Sequence, residues 1–530
     1  VGRSSVDAMQ EGSRIHRKIQ KRMGPDYTAE VPLSINTSIS REGVDFDITI
    51  EGRCDGIMDN QDYPSTVIDE IKGVYMDLQY LKEPVQVHKA QAMCYAYIYG
   101  SQEELEEIGI RLTYCNLETE AIMYFDETYQ VSQLKEWFYD LTNVYGKWAY
   151  WQYKWSVTRD KSIKKLTFPF EYRKGQKKLT RDVYLSIIRE KRLFVEAPTG
   201  VGKTISTVYP SIMAIGEGKA SKIFYLTAKT ITRTVAQETV DILRKQKLSI
   251  MSVIITAKEK ICILDKADCN PQACERAKGH YDRVNDCLFE IINNEDAITR
   301  EVIQEYAEKY KVCPFEMCLD VSLWADFVIC DYNYAFDPNV YLRRFFGEKK
   351  QDYIFLIDEA HNLVDRACNM YSATLNKEEI LKVRRLVGKE ANKIYKSLSK
   401  CNKDLLDWKR QWEEITVIDD ISDFIVHLVS LASVFAEFLE QNQDIDEKDI
   451  VLKLYFDVLH FISMYEGLND KYLIYLDYSE ESDLTIKLLC VDPSDNLKSY
   501  LDKVKSTIFF SATLLPIGYY REQLGGREDD

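Results

Sequence analysis

The sequence lacks any uninterrupted apolar run approaching about 18 residues, any internal repeat and any low-complexity tract, so the simple signatures of a membrane span, a solenoid and a disordered chain are missing. It also lacks positive charge: 69 Lys and Arg stand against 85 Asp and Glu, a formal net charge of −16. Whole-molecule attraction to phosphate then has the wrong sign, which argues against a general nucleic-acid coat protein or a basic membrane-surface protein. A DNA enzyme with local phosphate contacts stays open. The first residues, Val1-Gly2-Arg3-Ser4-Ser5, form neither a signal peptide nor an initiator Met, and the expectation is a soluble, intracellular chain cut at its N-terminus, with no membrane partner. What is present is ordinary globular composition, 45% hydrophobic and 12% aromatic over 530 residues, enough for several domains of roughly 100 to 200 residues each.

Cysteine is sparse except in one place. Seven of the thirteen (Cys262, Cys269, Cys274, Cys287, Cys313, Cys318, Cys330) fall in a single block. In a long chain without a signal peptide, a metal or cluster site is a better reading of such a block than disulfides. The isolated Cys54, Cys94, Cys115, Cys368, Cys401 and Cys490 read as packing thiols.

Four regimes follow one another. Residues 1–155 run helix, strands, helix and an aromatic-rich helical stretch ending in Trp148–Trp155. Arg159–Arg181 carries nine basic residues against two acidic ones and reads as a linker leading into the next domain. From about 182 to 517, short apolar runs bounded by turn residues recur at Leu193–Glu196, Lys222–Leu226, Asp326–Cys330, Tyr353–Ile357 and Thr507–Phe510, the pattern of buried parallel strands in an α/β domain. Two stretches interrupt it, the Cys block at 258–320 and a long polar helical block at 368–487, both read as insertions between strands of one sheet.

Within the α/β region, Ala197-Pro198-Thr199-Gly200-Val201-Gly202-Lys203-Thr204 follows an apolar strand and opens a helix. Backbone N–H groups and a helix N-terminus in this arrangement cradle phosphates, Lys203 reaches the β/γ oxygens, and the Thr204 hydroxyl holds Mg²⁺. Ala197 stands where the strict pattern has Gly. Asp358-Glu359-Ala360-His361 places two carboxylates at the end of another apolar strand, Asp358 for Mg²⁺ and Glu359 to position and deprotonate the attacking water. Ser511-Ala512-Thr513 follows a third strand and, with His361, resembles the element that couples nucleotide state to strand binding in motors of this kind. Upstream, Tyr172-Arg173-Lys174-Gly175-Gln176 fits an adenine-reading segment in which Gln176 offers paired donor and acceptor; a polar linker is the alternative.

The ordered set Gly175-Gln176, Ala197–Thr204, Thr227-Ala228-Lys229-Thr230, the Cys block, Asp331-Tyr332-Asn333-Tyr334, Asp358–His361 and Ser511–Thr513 resembles the iron–sulfur superfamily 2 DNA helicases of the DinG/XPD type, the Rad3-related class, over roughly residues 165–530. The resemblance implies a RecA-like P-loop motor binding ATP with Mg²⁺, with an iron–sulfur insertion, a helical arch insertion and 5′-to-3′ translocation on single-stranded DNA. It also implies that Cys262, Cys269, Cys274 and Cys313, the last followed by Pro314, ligate a [4Fe–4S] cluster. A tetrahedral zinc site on the same thiolates is the chemical rival. Cys287, Cys318 and Cys330 are left to packing.

In the first regime, Val44–Ile50 alternates as a half-buried strand leading to Asp55. After a turn at Asp59–Asp62, the strand Thr66–Lys72 places Glu70 and Lys72 on one face, toward the point where Asp55 ends its strand. Two carboxylates and a lysine suffice for metal-dependent phosphodiester hydrolysis, with Asp55 and Glu70 on Mg²⁺ or Mn²⁺ and Lys72 activating water and steadying charge. A solvated strand face is the alternative. With Gly12-Ser13-Arg14-Ile15-His16 on a preceding helix and Gln91-x-x-x-Tyr95 one turn apart on a following one, the set resembles the RecB-type PD-(D/E)XK nucleases, of restriction-endonuclease-like fold, over about residues 6–100. That implies His16, Asp55, Glu70 and Ile71 around the metal and Gln91 and Tyr95 supporting the site or touching DNA. Cys54, Cys94 and Cys115 are too few and wrongly placed for the cluster some members of that branch carry. His88 reads as a surface or supporting residue.

The expected α/β organisation is therefore a nuclease domain at 1–155; motor domain 1 in three pieces at 156–257, 321–367 and 488–530; the cluster insertion at 258–320; and the arch at 368–487. A second RecA-like domain is missing after Thr513, so the chain is expected to be a fragment that binds ATP and DNA without unwinding. Its implied setting is cytoplasmic, nucleoid-associated and bacterial in type. It is expected to be a monomer acting on single strands, junctions and DNA ends in repair. An inactive nuclease fold serving as a DNA clamp is the competing reading. The acidic run Asp444-Ile445-Asp446-Glu447-Lys448-Asp449 shows where the negative balance resides, away from the DNA-facing parts.

Overall fold

The computed structural model describes residues 14–59, 66–74, 76–117, 119–265, 267–269, 273–347, 349–412, 414–442, 447–478 and 483–530. Val1–Ser5, Gly12 and Ser13, the turn residues Asn60–Asp62 and the acidic Asp444–Asp446 lie outside them. The chain divides into two compact units, Val1–Lys154 and Trp155–Asp530.

The first unit begins with helical residues 14–20 (α1). A long hairpin follows, β1 (Tyr27–Arg41) and β2 (Val44–Asp59), then β3 (Thr66–Val74), α2 (Gln86–Gln102), β4 (Glu107–Asn116), β5 (Ile122–Gln130) and α3 (Val131–Ile163). The sheet order is β1-β2-β3-β4-β5. Only β3 and β4 are parallel, with α2 as their crossover. The core lies under α2 and the start of α3, where Ala92 and Ala96 let α2 approach Ile68, Ile110 and Leu112, and Phe138 fills the space beside Tyr97. The hairpin's outer half alternates, as Val44–Ile50 predicts, but β2 continues to Asp59. Asp55 therefore sits within its strand and not at its end.

The second unit is built on a seven-stranded sheet in the order β6-β16-β11-β7-β10-β8-β9, with every pair parallel. Its first part runs α4 (Gln176–Ile188), β6 (Arg192–Glu196), α5 (Lys203–Gly216), β7 (Lys222–Leu226), α6 (Thr230–Arg244) and β8 (Ser252–Ile254). Next come α7 (Lys258–Ile261), α8 (His280–Asn294), β9 (Ala297–Ile298), α9 (Arg300–Tyr310), α10 (Pro314–Val321), β10 (Phe327–Cys330), α11 (Asn333–Phe336), β11 (Gln351–Asp358) and α12 (His361–Met370). Strands covered by helices on both faces need apolar side chains on both, and the five runs named from the sequence are five of these strands. Ile212 and Ile215 of α5 and Val183 and Ile187 of α4 pack on Ile223, Leu356 and Ile508.

Three features differ from expectation. The basic stretch 159–181 is not a free linker: α3 continues to Ile163, which is buried in this core, and Trp155 Nε1 and Arg159 donate to the buried Asp326 at 2.9 and 2.8 Å. The Cys block does not lie wholly outside the sheet, because its β9 pairs with β8. The polar block 368–487 is not all helical. Its helices α13 (Lys377–Val387), α14 (Asn392–Gln411), α15 (Ser422–Gln441) and α16 (Lys448–Glu466) are accompanied by a four-stranded antiparallel sheet of β12 (Ala373–Asn376), β13 (Thr416–Val417), β14 (Tyr472–Tyr478) and β15 (Leu484–Cys490) in the order β12-β15-β14-β13. The chain then returns through α17 (Ser494–Leu501) to β16 (Val504–Ser511) and α18 (Ile517–Gln523). Helix α15 is long and apolar enough by composition to cross a membrane, with a mean hydropathy of 1.5 over Ser422–Leu439. Here Phe424, Leu428, Leu431 and Phe435 are buried in the insertion's own core.

Candidate active sites

In the first unit the site grows from a fork in the sheet. The β2–β3 ladder covers only Gly56↔Asp69 to Asp59↔Thr66, while β3 stays paired with β4 through Val74. Past the last rung, Asp55 reaches across the gap and its Oδ2 accepts the Ile71 N–H at 2.7 Å. Glu70, two residues before Lys72 and on its face, accepts from Lys72 Nζ at 2.6 Å, and Lys72 also donates to Gln91 Oε1 at 3.1 Å. Gln91 Nε2 lies 3.4 Å from Tyr95 Oη one turn on. Ile15 and Ile19 of α1 pack on Ile71, Cys115 and Leu117, which brings His16 Nδ1 to 3.1 Å from Asp55 Oδ1. His16, Asp55, Glu70, Ile71, Lys72, Gln91 and Tyr95 are thus gathered in one place.

The electrostatics are unusual for carboxylates. Glu70 is 2% exposed, and burial, aided by the neighbouring Asp55, pushes it up to about 7. Its Oε2 is buried with no hydrogen-bond partner. Burial would lower His16, but the hydrogen bond and charge of Asp55 outweigh that and hold it above its ordinary 6.5. On the opposite face of β3, Asp69 accepts from Thr113 Oγ1 at 2.5 Å and Tyr27 Oη at 3.0 Å, and burial raises it to about 6. Sequence reasoning missed Tyr27, Asp69 and Thr113. Two strand glycines were a signal for the close approach: a Cβ on Gly56 would lie 1.9 Å from Tyr27 Oη, and one on Gly52 would lie 2.6 Å from Tyr95 Oη.

In the second unit three motifs meet because their strands are neighbours. β6, β16 and β11 are adjacent in the sheet, and their carboxyl ends lead into the phosphate loop, Ser511-Ala512-Thr513 and Asp358-Glu359 respectively. A loop there is where open parallel sheets bind ligands. Gly200 and Gly202 have φ of +82° and +79°, a conformation that favours glycine and turns successive N–H groups inward ahead of α5. Lys203 Nζ lies across the loop, donating to the carbonyls of Ala197 at 2.8 Å and Pro198 at 3.2 Å. The Arg173 guanidinium donates to the Gly200 carbonyl. Gln176 is buried, its Oε1 accepts the Arg173 N–H at 3.0 Å, and its Nε2 lies against Gly202. Its carboxamide therefore braces the loop. Beside it, Tyr172 stacks on Phe168 at 4.2 Å and 16°, leaving an exposed aromatic surface.

Thr204 and Asp358 are linked through Tyr225. The Tyr225 hydroxyl donates to Asp358 Oδ2 at 2.6 Å and contacts the Thr204 hydroxyl. Burial holds Asp358 above the usual carboxylate range, the Tyr225 hydrogen bond opposing it. Tyr332 donates to the backbone carbonyls of Asp358 and Glu359, and Glu359 has a φ of +52°. His361 Nδ1 lies 2.6 Å from Ser511 Oγ and 3.4 Å from Glu359 Oε2, and the Thr513 N–H donates to Ser511 Oγ at 3.2 Å. Tyr225 reads in sequence as part of an apolar strand run and Tyr332 as part of the Asp331-Tyr332-Asn333-Tyr334 motif; their contacts with Asp358 and Glu359 follow only once the strands are in register.

The Cys block sorts its thiols by burial. Cys287, Cys318 and Cys330 are buried and raised by burial, as packing thiols should be. Cys262, Cys274 and Cys313 are half-buried and Cys269 is exposed. Lys258 of α7 hydrogen-bonds Cys269 and feels Cys313, which raises its ammonium above 10.5, and Cys262 ends the same helix. The N–H groups of Glu316 and Phe315, at the start of α10, oppose the burial that raises Cys313. His280 Nδ1 accepts the Cys313 N–H at 3.2 Å, so the proton sits on Nε2, a buried donor with no partner. An anionic sulfur cluster suits cationic and N–H donors of this kind.

Among the described residues, no group of three or more His, Cys, Asp or Glu side chains converges as a ready-made metal site. Neither expected ligand set is preassembled. In the first unit the reason is visible: His16 is turned onto Asp55, Asp55 onto Ile71, and Glu70 onto Lys72. The donors are nonetheless the hard oxygen and imidazole type that suits Mg²⁺ or Mn²⁺, and Glu70 Oε2 is the unsatisfied atom that such an ion would complete.

The chain is similar to proteins named regulator of telomere elongation helicase 1 homolog. The Caenorhabditis elegans protein is 24% identical over 258 residues, 40% of this chain and 26% of that one. The Anopheles gambiae protein is 22% identical over 274 residues, 41% of this chain and 27% of that one. The chain spans about a quarter of the length of these curated relatives. A solved structure titled XPD_Helicase is 19% identical, covering 67% of this chain and 61% of that one with a TM-score of 0.44. Residues 227–380, the segment from the end of β7 through the Cys block to Asp358, Glu359 and α13, match the family model described as DEAD_2.

Proposed function

We propose that this chain is the ATP-binding motor portion of an XPD-type DNA helicase joined to a metal-dependent DNA nuclease. The observation that carries the motor reading is the convergence of Thr204, Asp358, Glu359 and Ser511 at the carboxyl ends of three adjacent parallel strands. The DEAD_2 match and the helicase names of the relatives support it. Bound with ATP, Mg²⁺ would neutralise phosphate charge, with Thr204 and Asp358 as its protein partners. Lys203 leaves its own loop carbonyls for the phosphates, Glu359 takes the proton of the attacking water, and the His361–Ser511 hydrogen bond reports nucleotide state to the strand-binding surface. Single-stranded DNA is the track, with the 5′-to-3′ direction that the resemblance implies.

For the first unit, Asp55, Glu70 and His16, with Ile71 between the strands, would hold Mg²⁺ or Mn²⁺, which supplies charge stabilisation and an activated water when bound. Lys72 steadies the developing phosphate charge, and Gln91 and Tyr95 fix Lys72. Cys262, Cys269, Cys274 and Cys313 would hold a [4Fe–4S] cluster in a structural role beside the DNA path. DNA ends and junctions are the substrates that make sense of such a fusion.

Three measurements test this. Fluorescent ATP analogues should bind the wild-type chain with Mg²⁺ and lose affinity in Lys203→Ala; equal binding by both defeats the motor reading. Single-stranded and duplex DNA incubated with Mn²⁺ should be cut by wild type and spared by Lys72→Ala. No cutting, or equal cutting by both, defeats the nuclease reading and leaves a DNA clamp. Anaerobic purification with iron, sulfide and zinc analysis separates the cluster from a zinc site.

A further inference from the structure

The α2 face that carries Gln91 and Tyr95 carries a third polar residue one turn earlier, His88. Strand register fixes its surroundings. Lys72 of β3 and Tyr114 of β4 are direct partners in the parallel ladder, so their side chains stand side by side on one face of the sheet. His88 lies over that pair, its ring centroid 5.7 Å from that of Tyr114 and its Nδ1 2.9 Å from Tyr114 Oη.

The proton positions follow from counting donors. Tyr114 is buried, and its hydroxyl oxygen already accepts the Val85 N–H at 3.0 Å. Its own proton then has one available acceptor, His88 Nδ1. That fixes the imidazole as the tautomer carrying its proton on Nε2. Burial, aided by the charge of Lys72, holds His88 below its ordinary 6.5, so the ring is neutral at physiological pH. Nε2–H makes no hydrogen bond among the described residues, and the residue is only half-buried. Four hydrogen-bonding groups, Lys72, His88, Gln91 and Tyr95, therefore stand along one side of the fork. Three of them are tied to one another by hydrogen bonds, while the Nε2–H of His88, fixed by its tautomer, has no acceptor among the described residues.

We propose that His88 is a DNA-binding residue of this cleft, donating its Nε2–H to a non-bridging phosphate oxygen of the strand lying against Lys72. The proposal deepens the nuclease reading by naming a backbone contact beside the scissile position. A neutral donor suits this place, since Lys72 supplies the positive charge and a second cation would be repelled. Holding the tautomer through Tyr114 removes the cost of reorienting the ring when the strand arrives.

The test uses the full chain and single-stranded oligonucleotides in which one methylphosphonate, lacking the charged oxygen, is moved along the strand. Ca²⁺ replaces Mn²⁺ to hold the complex uncut. Wild type should show one linkage at which the substitution weakens binding about tenfold, the worth of a hydrogen bond to a charged group. His88→Asn keeps an acceptor for Tyr114 and withdraws the outer donor; it should lose sensitivity at that linkage alone. His88→Gln, whose amide reaches the Nε2 position, should restore it. Identical methylphosphonate profiles in wild type and His88→Asn overturn the proposal. Cutting in Mn²⁺ is scored separately. If wild type does not cut but the linkage-specific loss is present, the nuclease reading falls and the phosphate contact stands, now in a clamp.

Discussion

Glu70→Gln should stabilise the first unit while abolishing metal-dependent chemistry there. Glu70 is 2% exposed, one of its oxygens has no partner, and burial with Asp55 nearby lifts it from an ordinary 4.5 to about 7. A raised carboxyl holds its proton more tightly in the folded chain than in the unfolded one. The penalty is absent below pH 4.5, grows between 4.5 and about 7, and is complete above. At about 1.4 kcal/mol per pH unit, ionising Glu70 costs the fold about 3 kcal/mol above pH 7. Glutamine removes that charge and keeps an acceptor for Lys72 Nζ. Amide hydrogen exchange of Thr66–Val74 in the full chain with EDTA, compared at the same pH, is the assay. At pH 8 the variant should exchange up to roughly 100-fold more slowly than wild type, and near pH 5 the two should nearly coincide. Adding Mn²⁺ should slow exchange in wild type and do little in the variant. A difference of the same size at both pH values, or faster exchange in the variant at pH 8, refutes the reasoning.

Three further expectations concern the second unit. Tyr225→Phe leaves a buried oxygen of Asp358 unsatisfied, which should cost about 1–3 kcal/mol and weaken Mg-nucleotide binding, read by thermal melts with and without Mg-ATP; an unchanged nucleotide shift counts against the link between Thr204 and Asp358. His361→Ala and Ser511→Ala remove the two ends of one hydrogen bond, so their effects on nucleotide affinity should overlap and the double variant should fall short of the sum by about 0.5 kcal/mol or more; additive losses mean the contact is idle. Cys368 hydrogen-bonds Cys490, which lowers Cys368 and raises Cys490, so iodoacetamide labelling followed by mass spectrometry should find Cys368 modified well before Cys490.

The sequence discloses the parts of this fold whose physics is local. Buried parallel strands must be apolar on both faces, so Lys222–Leu226 and Tyr353–Ile357 stand out without knowledge of their partners, and the glycines of the phosphate loop mark a conformation that other residues resist. Half of the four-stranded sheet of the 368–487 block is hidden: β13 has two residues and β12 four, too short for period-2 patterning to rise above the surrounding helical periodicity. In contrast, β14 and β15, seven residues each, are of ordinary strand length, and β15 alternates in burial. Gln176 shows a different limit. Its chemistry suits an adenine edge, and its added contacts with the Arg173 N–H and with Gly202 of the phosphate loop depend on the left-handed turn at Gly175, which the sequence does not display. Tyr225, Tyr114 and His88 acquire meaning only from register, because a buried tyrosine becomes a link in a proton chain solely through what the neighbouring strand sets opposite it.

The 368–487 insertion leaves the sheet just after β11 and returns to it at β16, and these two strands are hydrogen-bonded neighbours. The outgoing stem follows the carboxyl end of β11 and begins at His361, whereas the returning stem enters β16 at its amino end, Val504, so the roots lie at opposite edges of the sheet. Ser511, joined to His361 at 2.6 Å, closes the carboxyl end of β16. A load that pulls the two stems apart is carried along the whole β11–β16 ladder as shear between adjacent strands, with the His361–Ser511 hydrogen bond at its carboxyl edge. The insertion is thus coupled mechanically to the two strands that bring His361 and Ser511 together, without a relay through the rest of the sheet.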